Sequence, residues 1–262
     1  EGKPQTVITT FAALMSPQVP LEEIAASVIH IDADSSLNEG ELARKLAEMG
    51  YEKNYQVDAP GQFSIRGGII DIFDLTEENP YRIELWGEEV ESIRSFDLLS
   101  QRSVEKLNEV DIYPATEMML SEEQKEKGLR RIEKEAKEFE EKLRSSFLTE
   151  EAHRVKTQIK ELREQVLEFS QMTNLESYIR YFYEDTVSFL RFFPEGESCV
   201  FIDEAARVKE QALAVEMEFR ESMGHRLEKG YILPGQADLL YGWEETAGFL
   251  QHMRTVLFSS MD

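Results

Sequence analysis

The chain has 262 residues, of which 41% are hydrophobic, and its 29 Lys and Arg against 52 Asp and Glu give a formal net charge of −23. The hydrophobic content excludes global disorder, and the length suffices for one large domain or two smaller ones. The acidity excludes broad, nonspecific attraction to nucleic acid, whose phosphates demand a basic surface, and leaves only local basic patches open.

The opening run Thr6-Val7-Ile8-Thr9-Thr10-Phe11 reads as a strand that begins almost at the first residue with no preceding partner, so the chain is expected to be a fragment of a longer protein. A short helix-like segment follows within residues 1–24. Ser27-Val28-Ile29-His30-Ile31 reads as the next strand. Asp32, Asp34, Ser36 and Asn38 then cluster ahead of Leu42, Leu46 and Met49, whose spacing, with Gly50 at the end, predicts a helix capped on both sides.

From about 55 to 113 the pattern is strands and tight turns. Phe63 and Ile65 alternate with Ser64 and Arg66 until Gly67 and Gly68 interrupt, which allows a bulge or a reversal of face. Ile69-Ile70 and Ile72-Phe73 then predict a strand covered on both sides, or one that bends across the sheet. After the loop Glu77-Glu78-Asn79-Pro80, Tyr81, Ile83 and Leu85 share one face of a strand while Arg82, Glu84 and Trp86 share the other. That puts a tryptophan about 13 Å along the strand from an arginine, on a face marked polar. Tryptophan and arginine are strongly enriched at interface hot spots. A further strand near residues 90–96 alternates poorly. The plainer reading of Arg66, Arg82 and Trp86 is structural, with arginine stems covering the sheet and Trp86 packed beneath a neighbouring helical region. Residues 25–115 together make one α/β unit.

At Ser121 the character changes. Ser121-Glu122-Glu123-Gln124 has the form of a capping box, and Leu129, Ile132, Ala136, Phe139 and Leu143 follow at helical spacing. Ala152, Val155, Ile159, Leu162, Val166 and Phe169 repeat it after Thr149, predicting an antiparallel helical hairpin at about 121–172 with a charged, solvated outer face. The aromatic residues of 175–193, namely Tyr178, Tyr181, Phe182, Tyr183, Phe189, Phe192 and Phe193, read as core rather than as a binding platform. Ser198-Cys199-Val200-Phe201-Ile202 reads as a buried strand, which makes the chain's single cysteine a buried thiol and leaves no internal disulfide framework. A helix through about 225 and a strand at Thr255-Val256-Leu257-Phe258 complete a parallel crossover unit.

Little of the residue chemistry points to catalysis. Phe201-Ile202-Asp203-Glu204 has the apolar-strand-then-acidic form that holds magnesium in nucleotide hydrolases, but such a site also needs a phosphate-cradling loop. No Gly-Lys-Ser or Gly-Lys-Thr occurs, and the Gly-Lys pair at Gly2-Lys3 is followed by Pro4. Asp32, Asp34 and Ser36 begin like a calcium loop, yet Leu37 stands in the glycine's place and Ala43 in that of the bidentate glutamate. His30, His153, His225 and His252 are scattered, with no second ligand at metal spacing. Cys199 has no recognisable histidine partner, and no glycine-flanked serine nucleophile occurs. No catalytic residue, cofactor or metal is therefore expected. No apolar run approaches the ~20 residues of a membrane span, and with no signal-peptide pattern the expectation is a soluble, cytoplasmic chain without a membrane partner.

The block Phe63-x-x-Arg66-Gly67-Gly68-Ile69-Ile70-Asp71-Ile72-Phe73, joined by Tyr81-Arg82-Ile83-Glu84-Leu85-Trp86, Ser92-Ile93-Arg94-Ser95-Phe96-Asp97 and Gln101-Arg102-Ser103, resembles the UvrB-like modules of bacterial nucleotide excision repair. It most resembles those at the amino terminus of the transcription-repair coupling factors (Mfd). The resemblance covers nearly all of the chain. It implies a small mixed α/β docking domain at 25–115 inserted in a degenerate helicase-like (RecA-like) α/β domain. Residues 1–24 would end the first part of that outer domain, and 116–262 would form its second part, including the long charged hairpin. The implied partner is UvrA, held by Arg66, Arg82 and Trp86, the last standing where family members often carry phenylalanine. Asp203 and Glu204 would be a degenerate magnesium motif. RNA polymerase and DNA would be engaged, and ATP-driven translocation performed, by parts of the parent protein outside this chain. The function so implied is a non-catalytic UvrA-recruiting module of transcription-coupled repair. The alternatives are a fragment of a UvrB-type, ATP-dependent damage-recognition subunit and a generic acidic helical scaffold.

Overall fold

The computed structural model describes residues 6–167 and 175–259. The chain divides into two units, one of residues 22–120 and one built from residues 1–21 together with 121–262. The first elements of the latter are α1 (Phe11–Leu14) and β1 (Pro17–Gln18). The strand expected at 6–11 is not formed, because residues 6–10 carry no regular structure and Phe11 opens a helix. Val7 and Ile8 are exposed, and no strand among the described residues pairs with them. Strand propensity without a ladder partner leaves backbone groups to water, and the Thr10 side chain instead accepts a hydrogen bond from the Ala13 N–H.

The unit of residues 22–120 contains α2 (Leu21–Ser27), β2 (Ile29–Asp32), α3 (Glu39–Glu48), β3 (Glu52–Lys53), β4 (Gln62–Arg66), β5 (Ile69–Phe73), β6 (Tyr81–Trp86), β7 (Glu89–Phe96), β8 (Ser103–Leu107) and β9 (Glu109–Ile112). Strands β3 to β8 form one six-stranded sheet in sequence order, antiparallel except at the β3–β4 edge, while β2 and β9 pair separately. Helix α3 is capped at both ends. The Asn38 carboxamide oxygen accepts from the N–H groups of Gly40 and Glu41, and Gly50 takes φ +88° just past the last turn.

Register fixes which side chains share a face. Phe63, Ile72 and Tyr81 line up across β4, β5 and β6, and Ile65, Ile70, Ile83 and Ile93 form the next row. These pack against Leu42, Leu46 and Met49 of α3 and against Ile31, Val110 and Ile112 of β2 and β9 in one buried cluster. At about 1.5–3 kcal/mol for each large apolar side chain removed from water, this face carries the stability of the unit. The Gly67-Gly68 pair resolves as a two-residue hairpin turn with φ +56° and +80°, the positive values that the primed hairpin turn demands of both central residues. Strand β5 is covered on both sides from Ile70 to Phe73, with Ile70 and Ile72 in the inner cluster, Asp71 buried on the outer face, and Phe73 joining Phe96 and Val57 in a second small cluster there.

In the other unit, α4 (Glu122–Ser145) and α5 (Thr149–Leu167) lie side by side across the short connection 146–148. Ser121 and Gln124 form a reciprocal capping box at the start of α4. Leu129, Ile132, Ala136, Phe139 and Leu143 of α4 are buried, as are Ala152, Val155, Ile159, Leu162 and Val166 of α5; Phe169 lies outside the described residues. After α6 (Ile179–Phe182), β10 (Val187–Ser188) pairs with β1. Tyr181, Phe182 and Tyr183 are buried, and Tyr178, Phe189, Phe192 and Phe193 are half-buried. Strand β11 (Cys199–Asp203) is followed by α7 (Ala205–Glu228), α8 (Pro234–Ala237) and α9 (Trp243–Leu250) before β12 (Arg254–Phe258) returns parallel to β11.

Strand β11 is not buried as its apolar run predicts. Val200 and Ile202 pack with Leu14, Leu190 and Leu250, whereas Cys199 and Phe201 are exposed on the opposite face. Among the described residues β11 pairs only with β12, so a two-stranded sheet covered on one side turns every second residue to solvent, the thiol included.

The alternation along β6 has a direct thermodynamic consequence. Ile83→Ala empties a fully buried position and is expected to destabilise the fold by about 2–5 kcal/mol. Trp86→Ala removes a larger side chain from an exposed position and is expected to change stability by no more than about 0.5 kcal/mol. Denaturant unfolding of the two variants measures the difference, and comparable losses would contradict the facing described here.

Candidate protein-docking site

The outer face of the sheet follows from the same register. Ser64, Asp71, Arg82, Arg94 and Lys106 stand in one cross-strand row, and Arg66, Ile69, Glu84 and Ser92 stand in the next. Trp86 ends the β6 contribution. A two-residue turn at Gly87 and Glu88, with Gly87 at φ +66°, leaves the indole opposite Glu89.

Asp71 sits at the centre of this face with only 1% of its side chain exposed. Its carboxylate accepts from Arg82 Nε at 2.6 Å and Arg82 Nη2 at 2.8 Å, a bidentate pair, and from Arg66 Nη2 at 3.1 Å. The Arg82 side chain is 14% exposed; its guanidinium lies 4.1 Å from the centre of the Phe96 ring and donates through Nη2 to the Gln101 side-chain oxygen at 3.0 Å. Gln101 adopts φ +58°, a left-handed conformation that glutamine seldom takes. Its turn is held by Asp97, whose Oδ1 accepts from Ser100 N and Oγ at 2.8 and 2.6 Å. Arg66 is the more open of the pair, 35% exposed and 5.4 Å from the Tyr55 ring centre.

A second ion pair lies beside the first. Arg94 Nη2 meets Glu84 Oε1 at 2.7 Å and Nη1 meets Oε2 at 3.0 Å, while the Ser92 hydroxyl donates to Oε2 at 2.7 Å. The Ser92 hydroxyl and then the Arg94 guanidinium hold the Glu84 carboxyl below its ordinary value. Trp86 is 78% exposed, which rules out the plainer reading that it packs beneath a helix. Arg82, by contrast, does cover the sheet with its stem and Phe96 with its guanidinium, so that reading holds for one of the three residues.

The structure therefore brings Arg66, Arg82 and Trp86 to one face and ties the two arginines to an internal carboxylate. Sequence reasoning missed Asp71, Gln101 and the Glu84–Arg94 pair. Asp71 leaves a signal, since an acid set within the apolar run of residues 69–73 needs a cationic partner if it is covered. Which cation it meets depends on register across the 74–80 loop, and loop length alone does not set that.

Residues 29–118 match the UvrB interaction domain. That match contains every residue of the face just described. The chain is similar over most of its length to transcription-repair-coupling factors. It is 36% identical to that of Bacillus subtilis (strain 168) over 232 residues, 88% of this chain and 19% of the relative, and 30% identical to that of Myxococcus xanthus over 202 residues, 76% of this chain and 16% of the relative. It is also 30% identical to the UvrABC system protein B of Fervidobacterium nodosum over 214 residues, 79% of this chain and 32% of that protein. The chain thus spans about a fifth or less of the coupling factors it matches.

Outside the UvrB interaction domain, Asp203 is exposed at the end of β11, and Glu204 turns the chain into α7 at φ +53°. Among the described residues no three His, Cys, Asp or Glu side chains are grouped to hold a metal ion, and no helix is long and apolar enough to cross a membrane.

Glu84 provides a titratable readout of the face. Its carboxyl is depressed in the folded protein, so its contribution to stability is present above the ordinary carboxylate range and is lost as pH falls through the depressed value. Ser92→Ala removes the largest cause and is expected to move the Glu84 titration upward, which carboxyl-carbon NMR would register. A titration that stays in place would show that the serine hydroxyl does not hold the carboxylate.

Proposed function

We propose that the UvrB interaction domain of this chain docks UvrA through its outer sheet face, and that the chain is a non-catalytic recruiting module in transcription-coupled nucleotide excision repair. The observation that carries the reading is Trp86, 78% exposed on the sheet face that holds the Arg66–Asp71–Arg82 cluster, on residues that match the UvrB interaction domain. An indole left in water adds little to the stability of its own fold, and an aromatic that shares a face with arginines has the composition of an interface hot spot. In docking, Trp86 fills a shallow pocket on UvrA and Arg66 offers its outer N–H groups to acidic or carbonyl groups. Arg82 contributes less directly than the sequence implied, because Nε and Nη2 are already committed to Asp71 and Gln101.

The absence of a phosphate-cradling Gly-Lys-Ser or Gly-Lys-Thr from the sequence supports a non-catalytic role for this piece. Contacts with RNA polymerase and DNA, and an ATP-driven motor, belong in this reading to parts of the parent protein outside the chain, consistent with the small share of each coupling factor that it spans. The similarity to UvrABC system protein B favours a second reading, a fragment of an ATP-dependent damage-recognition subunit. An intact phosphate loop upstream in the parent gene would select that second reading.

Titration of purified UvrA against the chain and its Trp86→Ala variant tests the docking face. The variant is expected to bind about 2 kcal/mol more weakly, roughly thirtyfold in Kd. Unchanged affinity in a folded variant would reject the assignment.

A further inference from the structure

The three charged groups at the centre of the docking face differ in exposure and in how they share hydrogen bonds. Asp71 is buried, Arg82 is nearly so, and Arg66 is the most open of the three. Arg82 grips the carboxylate with two bonds of 2.6 and 2.8 Å, whereas Arg66 reaches it with one of 3.1 Å. Two cations and one anion leave a single net positive charge. Because the bidentate pair is the tighter and less exposed, that surplus resides on Arg66. Without Arg82, the remaining guanidinium within reach of Asp71 would be Arg66 itself, drawn inward onto a buried carboxylate, and the cluster would be neutral.

We infer that Arg82 is a positioning residue: it neutralises Asp71 and so presents Arg66 to an acidic patch of UvrA as an uncompensated cation. The inference rests on the UvrA reading above and deepens it by assigning unequal roles to two arginines that sequence alone makes equivalent. In a chain of net charge −23 such a local surplus matters, because an acidic body repels an acidic partner patch unless the docking face is locally reversed. Asp71 remains necessary in this arrangement because it ties β4, β5 and β6 together across the outer face. Its charge has to be cancelled without consuming the outermost arginine.

The test compares the association rate of the chain with purified UvrA, as a function of salt concentration, for four variants whose folding is checked by thermal unfolding. Arg66→Gln and Arg82→Gln are each expected to slow association at low salt by roughly tenfold and to flatten its salt dependence. Adding Asp71→Asn to Arg82→Gln restores the surplus charge, so the double variant is expected to return to within about threefold of the parent in both rate and salt slope. A direct contact between Arg82 and UvrA predicts no such rescue. A folded double variant as slow as Arg82→Gln alone therefore overturns the inference. Should the Asp71 substitution prevent folding, Arg66→Gln decides, and an unaltered rate and salt slope in that variant overturns it too. Trp86→Ala, the fourth variant, separates the two levels. If it weakens binding while rescue fails, only the charge arrangement falls, and if it leaves binding intact, the docking face itself falls and takes the inference with it.

Discussion

A carboxylate sealed beneath the surface of a sheet must be paired, because the desolvation of an isolated ion exceeds what the rest of a small domain can offset. Asp71 meets that demand by recruiting guanidinium groups from the strands on either side of its own, Arg66 from β4 and Arg82 from β6. Much of the outer face follows. The Arg82 guanidinium lies over the Phe96 ring, Gln101 in the 97–102 turn accepts its remaining Nη2 bond, and Gln101 itself has a left-handed backbone. Strain at one residue is tolerated there because several hydrogen bonds over-determine the turn.

The core and the proposed docking face are the two sides of one alternation. Each core isoleucine along β6 and β7 has a charged neighbour one residue away, so Ile83 lies between Arg82 and Glu84, and Ile93 between Ser92 and Arg94. The inner side binds α3, β2 and β9 into a single apolar cluster, and the outer side is left free to carry ion pairs and an indole. Rigidity of the first side is what gives the second its geometry. A loop bearing the same residues would pay a larger entropy cost on docking than strands whose backbone is already ordered.

Parts of this organisation were legible in the chain. The spacing of Leu42, Leu46 and Met49 between Asn38 and Gly50 marked α3, and the Ser121–Gln124 pair marked the start of α4. The placement of Arg82 and Trp86 on a polar face followed from alternation alone. Two expectations failed for a shared reason. The run 6–11 and the run 198–202 both have strand composition, but composition does not supply a ladder partner or a covering layer. The first remains irregular and the second turns Cys199 and Phe201 to solvent.

By itself the sequence determined local matters, whose causes lie within a few residues: the caps of α3 and α4, and the facing of side chains along β6. Tertiary structure alone decided which charges meet. The register between β5 and β6 across the 74–80 loop is set by packing of the whole sheet, and that register puts Asp71 opposite Arg82 rather than Glu84. A slip of one residue would have turned the same side chains to the opposite face, so the pairing that organises the outer face is a property of the assembled sheet.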